Sequence, residues 1–264
     1  MSVKTIQTVS IIGAGNVAAH LGCALKKAGI RVLEICNRTP DSGRALARRT
    51  GARYIPGPAG LDPNADLVLI SVSDDAVAGI AGKFRTRALV VHTSGSLGMD
   101  ILSEASPRTG VLYPLQTFRK GRRLLTRNVP FCIEASTHHD ETLLRALAMK
   151  LSGHVTVLDS ERRKILHLSA VFASNFPNFL FSIADELLSD HDIPLKLLYP
   201  LVRQTAENVS RGEPFSLQTG PAIREDRKIM EIHRNLLKHH PEYRKIYDLI
   251  SQTIIEQKRK HGKL

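Results

Sequence analysis

The run Gly13-Ala14-Gly15-Asn16-Val17-Ala18 constrains this chain more than any other stretch. It follows the apolar segment Val9-Ser10-Ile11-Ile12 and leads into the amphipathic segment AAHLGCALKKAG. A G-x-G-x-x-A run alone says little, but between a strand and a helix each small residue has a task. Gly13 permits a tight turn, Gly15 lets the backbone approach a pyrophosphate, and Ala18 lets the helix pack on the strand while its N-terminus faces the phosphates. Glycines needed for packing alone would leave the same pattern. The second strand, Arg31 to Cys36, falls where a dinucleotide-binding βαβ unit requires it, so Gly13, Ala14, Gly15, Asn16 and Val17 are the expected cofactor loop.

The rest of the first half continues in the same style. Pro40 to Thr50 reads as a helix that stops at Gly51, and Ala65 to Val72 and Ala88 to His92 read as buried strands. Shorter apolar runs at Gly110 to Tyr113, Phe131 to Ile133 and Val155 to Leu158 extend the sheet. Strands alternating with helices predict an α/β, doubly wound, mainly parallel Rossmann sheet covered on both faces. After about Asp159 the strand signal disappears. Ser160 to Leu188, Pro194 to Ser210, Ile223 to Lys238 and Pro241 to Gln257 all carry helical spacing. The expected division is a dinucleotide-binding domain over 1–158 and an all-helical domain for substrate and dimerisation over 159–264.

Composition narrows the class. At 264 residues the chain exceeds one typical domain of roughly 100–150 residues, which favours two. Its three cysteines, Cys23, Cys36 and Cys132, form neither a disulfide framework nor a zinc-ligand pattern, which points to a reducing cytoplasm and no metal. No signal-peptide layout opens the chain, and no apolar run approaches the ~20 residues that span a bilayer. The formal net charge is +12. A nucleic-acid binder could carry that excess, but the basic runs at Arg119 to Arg123, Arg162 to Lys164 and the C-terminus lie far apart, without interleaved aromatics. A solvated surface that attracts anionic small molecules is the simpler account, with neither nucleic acid nor membrane as partner.

The end of the second strand, Asn37-Arg38-Thr39, speaks to cofactor choice. An NAD site usually places an acid there for the ribose hydroxyls; a guanidinium at Arg38 suits a 2′-phosphate, with Asn37 and Thr39 as further donors and Arg44 one turn on. Glu34 is nearer the nominal spacing for a ribose-binding acid but falls inside the strand, pointing away. NADP is therefore the expected cofactor. Val72 and Ser73, at the carboxyl end of the next strand, are expected on the nicotinamide side, beside Asp74 and Asp75, which could act in the site or only cap a helix.

Two further segments end strands. His92-Thr93-Ser94-Gly95-Ser96 is rich in hydroxyls and has a glycine that bares its amides, a combination able to hold a substrate carboxylate through Ser94, Gly95 and Ser96. Tyr113-Pro114-Leu115-Gln116-Thr117-Phe118 contributes Gln116. On the long helix, at ~100° per residue, Lys164, His167, Val171, Asn175 and Asn178 share one sector of an otherwise apolar segment. Polar groups buried there need partners, and a substrate cleft would supply them.

The chain resembles a family of Rossmann-like reductases of unknown function that are similar to the deazaflavin-dependent NADP reductases. They fall in the 6-phosphogluconate-dehydrogenase-like group with pyrroline-5-carboxylate reductase and ketopantoate reductase. The resemblance spans essentially the whole chain and rests on GAGNVA, NRT, HTSGS, YPLQTF, LHLSAVFASNFPN and QTGPAIREDRKIMEIH. It implies a helical C-terminal domain paired in a homodimer, and hydride transfer between NADP and a small substrate in an interdomain cleft. Two departures stand out. Where hydroxyacid dehydrogenases of the group carry Lys and Asn one helical turn apart, Lys164 is followed four residues later by Leu168, leaving His167 and Asn175 as replacements. Where the family's late motif has a glycine between Arg and Asp, this chain has Glu225.

The expected activity is thus NADP(H)-dependent hydride transfer to or from a carbonyl or imine of a small, carboxylate-bearing substrate. His167 is the first candidate for proton donor, because histidine is the side chain that titrates near neutrality; Lys164 is the second, and Asn175 would orient the substrate. The rival is an NADP-binding redox sensor without turnover, since the same fold also hosts non-enzymes.

Overall fold

The computed structural model describes residues 5–119 and 126–261, so most of the basic run Arg119 to Arg123 lies outside the described residues. In chain order the elements are β1 (Thr8–Ile12), α1 (Asn16–Lys27), β2 (Arg31–Cys36), α2 (Pro40–Thr50), β3 (Arg53–Ile55), β4 (Leu67–Ile70), α3 (Asp74–Ala81), β5 (Leu89–His92) and β6 (Thr109–Pro114). Then come β7 (Phe131–Ala135), α4 (His138–Leu151), β8 (Val155–Val157), α5 (Ser160–Ala170), α6 (Phe176–Ser189), α7 (Tyr199–Val209), α8 (Pro221–Arg224), α9 (Arg227–Leu236) and α10 (Pro241–His261).

The strands form one sheet in the order β3-β2-β1-β4-β5-β6-β7-β8, parallel throughout except where β7 runs antiparallel to β6. This is the doubly wound sheet that the alternation of elements predicts. The central strands read as continuous apolar runs because both faces are covered. Leu67, Leu69, Leu89 and Val91 enter one core with Leu21 and Leu25 of α1, Leu46 of α2 and Leu144 of α4. Val68, Ile70 and Val90 enter the other with Val77 and Ala81 of α3. Each such Val, Leu or Ile side chain contributes roughly 1.5–3 kcal/mol by leaving water. The strand order reverses between β1 and β4, so a crevice opens beyond their carboxyl ends, where ligands of open α/β sheets bind.

The chain divides into two compact units, residues 1–174 and 175–264. The change from strands to helices falls at Val157 and Ser160, but α5 groups with the sheet. The reason is Arg163, which is fully buried: its guanidinium donates to Glu134 on β7, to the Leu97 carbonyl and to Ser160 Oγ (3.1 Å). The solvated-surface account of the Arg162–Lys164 run is therefore corrected at Arg163. A π turn, Val171–Asn175, separates α5 from α6. Pro177 explains it, since its ring lacks an N–H and clashes with the carbonyl four residues back, at Ala173.

In the second unit, α8, α9 and α10 bury Ala222, Met230, Ser251 and Ile255, whereas α6 and α7 carry no buried residue. Glu225, where the resembled family has glycine, closes α8 in the left-handed region at φ 55°, held by Arg259 (3.0 Å) and Lys258 (3.5 Å). No helix among the described residues is long and apolar enough to cross a membrane.

Candidate active site

The glycine turn joins β1 to α1 at the crevice. Gly13 takes φ +116°, and its N–H donates to the Cys36 carbonyl at 2.8 Å. A Cβ on Gly13 would lie 2.1 Å from the Ser71 carbonyl oxygen, so the turn and the end of β4 touch backbone to backbone. A Cβ on Gly15 would meet nothing within 4 Å, which leaves that face open to a ligand. Gly15 is also the N-cap of α1, and no side chain caps the helix or places an acid in its first turn. Its leading N–H groups are therefore available to an anion.

At the end of β2, the Asn37 amide donates to the Thr39 carbonyl (2.8 Å) and Ser42 Oγ (2.9 Å), shaping the turn into α2. Arg38 is exposed and makes no ion pair or hydrogen bond among the described residues. Arg44 lies over the Tyr54 ring, 5.5 Å from its centroid. Glu34 is buried, accepting from Ser10 Oγ and Arg53 Nη2 (3.1 Å), and is not in the lining of the cavity described below.

The loop after β5 is organised by His92. Its Nδ1 accepts from the Ser94 N–H (3.1 Å), and its Nε2 donates to the Gly98 carbonyl (3.2 Å). Burial, with the nearby Arg163 charge second, pushes His92 down to about 4, so the ring stays neutral and keeps this tautomer near neutral pH. Ser94 Oγ in turn accepts from the Ser96 and Leu97 amides, each at 3.1 Å. Ser96 Oγ lies 3.2 Å from Ser94 Oγ and donates to Asp74 at the start of α3.

His167 faces this loop from α5. A Cβ on Gly95 would come within 2.7 Å of the His167 ring, so only glycine admits the imidazole here. His167 Nδ1 is 3.0 Å from Tyr113 Oη at the end of β6. Burial pushes the Tyr113 phenol up to about 12, which keeps it protonated. Beyond Tyr113, the Asn16 side chain donates to the Phe118 carbonyl at 3.1 Å, tying the Gln116–Phe118 segment to the glycine turn.

These groups line one cavity of ≈ 560 Å³ within the first unit. It brings together Gly13, Ala14, Gly15, Asn16, Val17, Asn37, Val72, Ser73, Ser94, Gly95, Ser96, Gln116 and His167 of the expected residues. Arg38, Thr39 and Lys164 are not in its lining; Lys164 instead pairs with Glu161 at 2.7 Å. Asn175 belongs to the second unit and sits in the π turn, which breaks the uniform helical period assumed in grouping it with His167. Ser71, Thr93 and Tyr113 line the cavity without having been singled out. All three sit at or just beyond a strand end, the one signal that could have found them.

A glycine turn at the switch point of a doubly wound sheet, followed by a helical unit, defines a Rossmann-type dinucleotide fold. Residues 3–116 match the Rossmann-like domain, and residues 129–254 match the Domain of unknown function (DUF2520). A Bacteroides fragilis protein provisionally assigned as an NADP oxidoreductase is 39% identical over 97% of this chain and 100% of its own, with a TM-score of 0.87. The chain belongs to the family of that protein. An imine reductase from Myxococcus stipitatus in complex with NADP+ shares the fold at 16% identity, covering 97% and 94% of the two chains, with a TM-score of 0.64. The 1-pyrroline-5-carboxylate reductase of Streptococcus pyogenes shares it at 12% identity, covering 96% and 98%, also with a TM-score of 0.64. No curated protein matches the chain.

Proposed function

We propose that this chain is an NADP(H)-dependent oxidoreductase that passes hydride to or from the carbonyl or imine carbon of a small substrate. The observation that carries the proposal is that the glycine turn and the His167–Tyr113 pair line a single cavity. A redox sensor without turnover has no use for a hydrogen-bonded His–Tyr pair in the cavity that the nucleotide turn lines. The relatives named above as NADP oxidoreductase, imine reductase and pyrroline-carboxylate reductase support the same reading.

The residues present fit NADP. The uncapped N-terminus of α1 and the open face of Gly15 suit the pyrophosphate. Arg38, a guanidinium with no partner among the described residues, suits the 2′-phosphate, with Thr39 as a further donor and Arg44 one turn into α2. Bound there, the nicotinamide supplies or accepts the hydride.

The protein's part is to position the substrate and to move a proton. Ser94, Gly95, Ser96 and Gln116 form the substrate side of the cavity. In neutral His167, the Tyr113 hydroxyl donates to Nδ1 and the ring proton sits on Nε2. In the imidazolium both ring nitrogens carry protons, the bond to Tyr113 reverses, and Nε2 can release a proton to a developing alkoxide or amine. We place His167 in this role ahead of Lys164, whose partner is Glu161. Residues 1–158 would hold the dinucleotide and 159–264 serve substrate and dimerisation, in a reducing cytoplasm.

Calorimetry tests the cofactor assignment. NADPH should bind more tightly than NADH, and Arg38→Ala should remove most of that preference, on the order of 1–3 kcal/mol. Equal affinity of the unaltered protein for both nucleotides would refute the role of Arg38. Assembly follows from the second unit, where Phe176, Phe179, Phe181, Leu197 and Leu201 are exposed on elements with no core of their own. We expect a homodimer, so light scattering at micromolar concentration should give twice 29.1 kDa, and a monomer mass would count against it.

A further inference from the structure

The hydroxyl-rich loop after β5 suggests a seat for a substrate carboxylate, but its hydrogen bonds point to the opposite charge. Ser96 donates its hydroxyl proton to Asp74. Ser94, 3.2 Å from Ser96 Oγ, is left to donate its own proton to Ser96, while its oxygen already accepts two backbone amides. Both hydroxyl protons are thus engaged. The amides of Thr93, Ser94, Ser96 and Leu97 are engaged as well, by the Ile70 carbonyl, His92 Nδ1 and Ser94 Oγ. Of these loop amides, the Gly95 N–H alone has no acceptor among the described residues. What the cluster still offers a ligand is acceptor capacity: the remaining lone pair of Ser96 and those of the Asp74 carboxylate.

Charge agrees with this. Among the described residues lining the cavity His167 is the one group that can carry a positive charge, there is no lysine or arginine, and Asp74 is the one carboxylate. A substrate carboxylate placed here would meet a like charge and one amide, whereas a cationic N–H donor would find a charge-assisted acceptor. Asp75, the next acid, is exposed and outside the lining.

We propose that Asp74 and Ser96 hold a protonated nitrogen, so that the substrate is an iminium ion and the product its ammonium form. The inference rests on the oxidoreductase reading and selects C=N over C=O chemistry within it. The balance is complete. Hydride from NADPH forms the new C–H bond, the C=N π pair becomes a nitrogen lone pair, and that lone pair takes one proton from imidazolium His167. NADP+ and neutral His167 remain. Asp74 exchanges no proton in this step and acts by binding the charge.

The test is calorimetry on the full chain, with and without NADP+, using pyrrolidine and piperidine as cationic probes, cyclopentanol as a neutral one, and pyruvate and 2-oxoglutarate as anions. Asp74→Asn keeps an acceptor for Ser96 and removes only the charge. The unaltered protein should prefer the amines to cyclopentanol by about tenfold or more, a factor worth ~1.4 kcal/mol, and Asp74→Asn should abolish that preference without changing NADP+ affinity. Equal binding of amine and alcohol, tighter binding of the anions, or a preference that survives Asp74→Asn would each overturn the inference. If Asp74→Asn instead weakens NADP+ and leaves the amines unaffected, Asp74 is a cofactor ligand and the inference falls while the NADP reading stands. If the unaltered protein binds no NADP+, that reading falls, and the amine preference of the unloaded chain still decides the role of Asp74.

Discussion

His167→Asn is expected to lower turnover by about 10²–10⁴-fold, the usual contribution of general acid–base catalysis, while leaving the melting temperature and NADPH affinity close to those of the unaltered protein. Asparagine fills part of the same space beside Gly95 and can accept from Tyr113, but it does not titrate. The ring contacts Gly95 and Tyr113, not the glycine turn, so the nucleotide should not register the change. Tyr113→Phe provides the control. It removes the partner of Nδ1 and leaves the acid in place, so its effect should be clearly smaller and should displace the pH profile of turnover. NADPH oxidation with a cyclic imine such as 1-pyrroline is the measurement. Full turnover by His167→Asn would end the assignment and bring forward Lys164 or an ordered water.

Gly13→Ala carries the largest expected structural effect. The added Cβ would sit 2.1 Å from the Ser71 carbonyl oxygen and 2.8 Å from its carbon, atoms of backbone rather than of a yielding side chain. The Ser71 N–H donates to the Ile12 carbonyl at 2.8 Å, so moving Ser71 away disturbs the β1–β4 ladder at the centre of the sheet. Alanine also tolerates φ +116° poorly. Clash and backbone strain together should cost at least about 3 kcal/mol in urea unfolding, or prevent folding. Gly15→Ala separates the two glycines: its Cβ meets nothing within 4 Å, so stability should hold while NADPH affinity drops. Near-wild-type stability of Gly13→Ala would show that the turn relaxes as no neighbour here allows.

Much of this was legible in the residues themselves. Both faces of the sheet are buried, so β4 and β5 read as unbroken apolar runs, and Gly13 and Gly15 announce the turn because a nucleotide-binding βαβ unit admits few alternatives there. His167 stood out as a polar residue inside an apolar helix. Other features depend on pairings that local sequence does not encode. β3 is three residues long and was not foreseen, and the antiparallel course of β7 follows from packing and not from its composition. Arg163 looked like one of three surface cations because Glu134, 29 positions earlier, meets it only once β7 is in register. Tyr113 lay in an anticipated strand, but its link to His167 spans 54 positions. The hydroxyls of Ser94 and Ser96 suggested an anion seat; the proton count that argues otherwise needed Asp74, 22 positions before Ser96, in place.

NADP and the His167 acid are expected to share the cavity at the switch point of the sheet. A crystal structure of the protein with NADP+ tests it most directly. Pyrophosphate oxygens should lie on the amides of Gly15 to Val17, the 2′-phosphate at Arg38, and the nicotinamide beside Val72 with the His167 ring in reach of a ligand seated over it. A nicotinamide lying away from Val72, or a His167 ring turned out of reach of that seat, would contradict it.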